Sequence, residues 1–201
     1  PFFLEEWRNV QGQEEGRRPE EMTVAEFRQK IVEAAKQVTA TSGYPWQLVA
    51  AQACLESGYG RRVPVDLKTK RYSYNLFGIK GAGPAGSVLC KTSEYYPPAK
   101  ARQLAAEGKA VMTKDVRNGL VRCIVKDYFK AFYSFAEALE WYMKLVSIPR
   151  YKPVWDHLGD PAEAARAIQR CGYATDPDYA DKLIAIMRQE GWLSEPAGDG
   201  R

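Results

Sequence analysis

Most of this chain carries apolar residues at helical spacing, interrupted by one region with strand character. Thr23 and Glu26 stand at capping-box spacing. Val24, Phe27, Ile31, Ala34 and Val38 follow on one face, which predicts an amphipathic helix. "TSGYP" at 41–45 breaks it. Pro45 suits the first turn of a second helix over about 45–57, and Gly58 suits its stop. Nearly every residue of that helix is small or apolar, the pattern of a helix buried on most sides. Residues 61–86 read as a loop with a short apolar knot at Leu76-Phe77. "SVLCKTSEYYP" and "LVRCIVKDYFKAF" are rich in β-branched and aromatic residues and predict two strands that pair as a small antiparallel lobe. Between them, "PAKARQLAAEGKAVMTKDVRNG" reads as an insertion, helical around 99–107.

Helical spacing then resumes. Ser134 and Glu137 repeat the capping box ahead of Phe135, Leu139, Tyr142 and Val146. Asp160-Pro161 starts a further helix that Gly172 ends. Asp176-Pro177 starts the last one, with Tyr179, Leu183, Ile186 and Met187 inward and Gly191 as its stop. Helices, a β excursion and helices again predict an α+β domain with one core. Residues 1–22 are polar and without sustained period, which predicts an arm or linker docked by Phe2, Phe3 and Trp7. The domain is expected over 23–192, with a tail over 193–201.

Composition adds limits. An apolar fraction of 45% in 201 residues is ordinary for a globular domain. A net charge of +4, with Lys and Arg spread along the chain, does not point to nucleic acid. It would suit an anionic polymer such as a bacterial cell wall, though weakly. No apolar run reaches the length of a membrane span. The chain opens on Pro1 rather than Met, as expected of a trimmed or mature fragment, so a missing export signal says little about location.

The single histidine, His157, lies in a turn between helices and argues against a multi-histidine metal site and a Ser-His-Asp triad. No phosphate-binding glycine fingerprint is present. No metal or cofactor is called for, and carboxylates and tyrosines remain as acid–base groups. Glu56 stands out at the end of the second helix. A helix C-terminus carries partial negative charge, and that charge and apolar neighbours both favour a carboxyl that keeps its proton, as a general acid must. Tyr59, Tyr72 and Tyr74 could present aromatic faces to a sugar.

The motifs "AAQACLESGYG", "YNLFGIKG", "KTSEYY", "FKAFYSFAEALEWY" and "CGYATDPDYA" occur in the order seen in the peptidoglycan N-acetylglucosaminidases of glycoside hydrolase family 73, which this chain resembles over about residues 23–192. The resemblance implies a lysozyme-like fold with a substrate groove between a helical body and a β-lobe, and hydrolysis of the β-1,4 bond after N-acetylglucosamine in peptidoglycan. By the same resemblance Glu56 is the catalytic acid, Glu94 the second acidic residue, Asn75 the family's asparagine and Tyr173 its tyrosine. Phe77, Tyr59 and Tyr74 are further expected substrate contacts. Glu94 could serve as base for an attacking water, assist from a distance, or be a solvated strand residue; the substrate's own N-acetyl oxygen could attack instead. Tyr173 could orient the acetamido group, stabilise charge, or pack beneath the groove. Asn75 could bind substrate or cap the turn before Leu76.

The insertion is longer than the hairpin turn typical of the family. An N-acetylmuramidase, a lytic transglycosylase or a non-catalytic wall-binding module on the same fold are the alternatives. The expected partner is the peptidoglycan glycan strand, the expected state a monomer, and the expected location secreted or cell-wall associated, in bacteria or phage. Among the four cysteines, Cys90 and Cys123 lie on the two predicted strands and Cys54 and Cys171 near site motifs, which permits two pairs, and four buried free thiols are the equal alternative because disulfide geometry is restrictive.

Overall fold

The computed structural model describes residues 21–193. The expected arm over 1–22 and tail over 193–201 therefore lie almost wholly outside the described residues. Helix α1 spans Val24–Thr39 and opens with the predicted capping box: Thr23 accepts from the Glu26 amide, and Glu26 accepts from the Thr23 amide. Phe27, Ile31, Ala34 and Ala35 are its buried face. Helix α2, Trp46–Ser57, is buried from Leu48 to Cys54 without a polar face. Pro45 caps it rather than joining its first turn, and Gly58 ends it in the left-handed conformation.

The chain then wraps outward and builds the lobe. Strand β1 is Ser87–Tyr96, helix α3 Pro98–Ala106, strand β2 Ala110–Arg117 and strand β3 Leu120–Lys130. The sheet is antiparallel in the order β1-β3-β2. Strand β2 corrects the sequence expectation, which assigned only a helix to this insertion. It is an edge strand on which only Ala110 is buried, so it lacks the alternation of a half-buried strand. The insertion leaves β1 undisturbed: the β1–β3 register runs without a break from Ser87↔Lys130 to Tyr96↔Val121, and α3 and β2 enter on the other side. Two small apolar clusters hold the lobe, one of Val88, Cys90, Phe129 and Ala131, the other of Ala101, Ala110, Val121 and Cys123.

Helices α4 (Phe135–Val146), α5 (Lys152–Trp155), α6 (Pro161–Arg170) and α7 (Tyr179–Gln189) complete the body. Asp160 caps α6 through the amides of Ala162 and Glu163. Helix α7 begins two residues after Pro177, following a turn in which Asp176 accepts from the Asp178 amide. The main core gathers side chains from α1, α2, α4, α6 and α7 around the buried α2.

The suggested cysteine pairs do not form. Cys90 faces Asp127 and Cys123 faces Glu94, four positions apart along β1, and their side chains belong to different apolar clusters. All four thiols are free. Burial pushes the Cys54 thiol up to about 12, which makes it an inert core residue.

Candidate active site

Glu56 occupies the last turn of α2 and is half-buried. The Tyr179 hydroxyl, from the first turn of α7, donates to its Oε1 at 2.7 Å. Helices α2 and α7 run antiparallel, with Trp46 against Trp192 at one end and Glu56 against Tyr179 at the other. The negative end of α2 is not left open. The Arg62 guanidinium donates to the carbonyls of Leu55 at 2.6 Å and Glu56 at 3.4 Å and offsets part of the negative charge there.

Behind Tyr179 lies a polar group in an apolar helix. Gln52, one turn before Glu56, is fully buried. Its Nε2 donates to the Tyr179 oxygen at 3.1 Å, and the Tyr142 hydroxyl of α4 donates to its Oε1. Burial pushes the Tyr142 and Tyr179 hydroxyls far above the ordinary phenol range, and both remain protonated donors.

Aromatic rings surround this chain of bonds. Tyr173 stacks on Tyr179 with ring centres 5.6 Å apart, and Phe77 stacks on Tyr142 at 4.8 Å. Tyr142 meets Tyr173 edge to face, and Tyr151 packs against it at a tilt. The Tyr173 hydroxyl is also driven up, first by burial and then by the charge of Glu56. The loop that presents Tyr173 is clamped from α5's side of the body. Arg150 donates to the carbonyls of Cys171 at 2.7 Å and Gly172 at 2.5 Å. Gly172 has φ +72°, a conformation that favours glycine, and a Cβ there would stand 2.6 Å from the Arg150 guanidinium and displace it from its clamp.

Of the residues singled out from sequence, Glu56 and Tyr173 therefore meet at Tyr179, and Phe77 joins this series of bonds at Tyr142. Three others do not join them. The Tyr59 hydroxyl meets Glu190 at 3.3 Å, at the far end of α7, and burial pushes it up to about 12. Tyr74 packs edge-on against Tyr72 and Phe135 within the core. Asn75 is buried, and its carboxamide is committed to backbone. Its Nδ2 donates to Ile79 O at 2.8 Å and Lys130 O at 3.0 Å, and its Oδ1 accepts from the Ile79 amide at 3.0 Å. Of the two roles open to Asn75, the geometry is that of the turn cap. It also fastens residues 79–81 to β3, where Lys130 N donates to Ile79 O and Gly81 N to Tyr128 O.

Glu94 stands on β1, partly exposed, with its carboxylate 2.6 Å from the Lys80 ammonium. Lys80 reaches Asp127 of β3 at 2.9 Å as well, and the two carboxylates drive its acidity constant above the usual lysine range. Gln52, Tyr142 and Tyr179 escaped the functional reading because each fits a helical core pattern. The available signal was Gln52 itself, a lone amide in an apolar run four residues before a glutamate. No three His, Cys, Asp or Glu side chains gather as metal ligands among the described residues.

The profile of the glucosaminidase family, described as mannosyl-glycoprotein endo-beta-N-acetylglucosaminidase, matches residues 32–191. The peptidoglycan hydrolase FlgJ of Escherichia coli K12 is 34% identical over 156 residues, covering 77% of this chain and 42% of that protein. The exo-glucosaminidase LytG of Bacillus subtilis is 32% identical over 148 residues, 71% of this chain and 43% of that one. The chain thus spans less than half the length of these curated relatives. Among solved structures, the C-terminally truncated glycoside hydrolase domain of Salmonella typhimurium FlgJ superposes with a TM-score of 0.61 at 30% identity, covering 86% of this chain and all of that one. The catalytic domain of the autolysin Auto from Listeria monocytogenes gives 0.63 at 26% identity, with 94% of each chain covered. These neighbours share the helical body and small antiparallel sheet of a lysozyme-like domain. With the family profile covering most of the chain and the fold matching throughout, this protein belongs to the glucosaminidases of glycoside hydrolase family 73.

Proposed function

We propose that this domain hydrolyses the β-1,4 bond after N-acetylglucosamine in peptidoglycan, with Glu56 as general acid. The observation that carries the reading is the half-buried Glu56 carboxyl held at 2.7 Å by the Tyr179 hydroxyl beside the Tyr173 ring. Cleavage requires a proton on the leaving oxygen and a stabilised oxocarbenium-like centre. One oxygen of Glu56 is engaged by Tyr179, which leaves the other for the glycosidic oxygen. Phe77 and Tyr173 supply aromatic surface beside it. Glu94 is the second carboxylate, stored against Lys80. An ion pair this exposed is worth about 1 kcal/mol or less, so releasing Glu94 from it costs little. The substrate places the enzyme at the cell wall, outside the membrane of the cell that makes it or in a phage.

The test is Glu56→Gln, with products of purified peptidoglycan read by mass spectrometry. Wild type should release N-acetylglucosamine reducing ends, and the variant should fold, bind the wall polymer and lose nearly all turnover. Equal release by both proteins refutes Glu56 as the acid. Reducing-end N-acetylmuramic acid would instead make the domain a muramidase, and a relative from Lactococcus lactis named a probable N-acetylmuramidase, 31% identical, gives that outcome a place. Anhydro-muramic ends would make it a transglycosylase. Inversion at the anomeric carbon supports Glu94 as base, whereas retention requires a double displacement in which the substrate's acetamido oxygen or an enzyme carboxylate attacks first.

A further inference from the structure

We infer that Gln52 is a positioning residue for Glu56, acting through Tyr179, and that the buried bonds from Tyr142 through Gln52 and Tyr179 dictate which oxygen of Glu56 delivers the proton. The inference rests on the reading of Glu56 as the general acid. A tyrosine hydroxyl can donate or accept, and its hydrogen turns to whichever partner is available. At Tyr179 that freedom is removed. Gln52 Nε2 occupies the oxygen as donor at 3.1 Å, so the Tyr179 hydrogen is left for Glu56 Oε1 at 2.7 Å. The Gln52 carboxamide stands with Oε1 at the Tyr142 hydroxyl, from which it accepts, and with Nε2 at Tyr179. Tyr142 is itself fully buried and held by the stacked Phe77 ring.

Every bond in this series points the same way, toward Glu56. Oε1 is thereby reserved as an acceptor, and the transferable proton of the acid resides on Oε2. When that proton passes to the leaving oxygen, the O–H bond of Glu56 breaks and a new O–H bond forms on the leaving group. The carboxylate left behind keeps its bond from Tyr179. A fully buried glutamine in an otherwise apolar helix costs folding free energy unless its amide is satisfied. Here both ends of the amide are satisfied by this series.

The experiment compares Gln52→Leu, Tyr142→Phe, the double variant and Glu56→Gln in the full chain, with kcat and KM measured on soluble glycan strands and thermal melting on each protein. Gln52→Leu should lower kcat by about 10- to 100-fold, the loss typical of a misplaced catalytic group, while KM stays within a factor of about two. Tyr142→Phe keeps the ring and its stacking and should reproduce part of that loss. The double variant should lose no more kcat than Gln52→Leu alone, because both act through one series. A purely structural role for Gln52 would lower the melting temperature and leave kcat per folded molecule unchanged. That result, or independent additive losses in the double variant, overturns the inference while Glu56→Gln still abolishes turnover. Full activity in Glu56→Gln overturns both the inference and the reading beneath it.

Discussion

Replacing Asn75 separates a structural clamp from a substrate contact. Asn75→Ala deletes three hydrogen bonds: two to the carbonyls of Ile79 and Lys130 and one from the Ile79 amide. At about 1 kcal/mol net for each, the loss is about 3 kcal/mol, and the Ile79 amide left without its acceptor adds to it. For a domain of this size 1 kcal/mol moves the melting temperature by roughly 2–4 °C, so a fall of about 6–12 °C is expected by calorimetry. Asn75→Asp preserves shape and the Ile79 amide bond but turns an acceptor toward two carbonyls. The introduced carboxyl, buried and facing those carbonyls, has a folded-state acidity constant above its unfolded value of about 3.9. Its protonated form is favoured by folding, so its deficit against wild type should be smallest below about pH 4 and grow as pH rises through the folded value. A melting temperature unchanged in Asn75→Ala, with KM raised several-fold at constant kcat, would refute the clamp and make Asn75 a substrate ligand.

Two further outcomes can be measured alongside it. Gly172→Ala forces a left-handed backbone, costing about 1–2 kcal/mol, and drives a methyl against Arg150, so melting should fall by several degrees and kcat should fall with it as Tyr173 shifts; unchanged kcat would separate Tyr173 from the chemistry. Asp66 accepts from the amides of Thr69, Leu89 and Lys68, and these bonds hold its carboxyl well below the usual range. Its contribution is present above the unfolded value of about 3.9 and is lost as pH falls through the depressed folded value, so the stability gap between wild type and Asp66→Asn should close under acid and stay constant from pH 6 to 8.

The helical body was legible because its elements begin and end on residues with fixed local physics. Thr23 with Glu26, Ser134 with Glu137 and Asp160 each cap a helix where their spacing indicates. Strand β2 was not, because an exposed edge strand needs no apolar alternation; the readable signal was Asn118-Gly119, both at positive φ and joining β2 to β3 in a two-residue hairpin. Glu56 and Tyr173 both lie against Tyr179, and Phe77 stacks on Tyr142. Tyr59 and Tyr74 turn elsewhere, toward Glu190 and toward Tyr72 and Phe135, and each takes a positive φ, 55° and 54°, that residue type alone does not announce. Glu94 was visible as a residue but its partner was not, since Lys80 reaches it only once residues 79–81 lie along β3.

The turn fastened by Asn75 has a bearing on how such a domain can vary. Phe77 stacks on Tyr142 in the helical body, and Lys80, three residues later, pairs with Glu94 on the lobe. Three residues of chain reach at most about 11 Å. The Phe77 ring in the body and the Lys80–Glu94 pair on the lobe are thus spaced by a short covalent gauge. Length can be added freely at the outer edge of the sheet, where α3 and β2 hang from β3, without resetting that gauge. A single residue inserted between Phe77 and Lys80 would reset it, and the placement of Glu94 relative to the helical body would change in one mutational step.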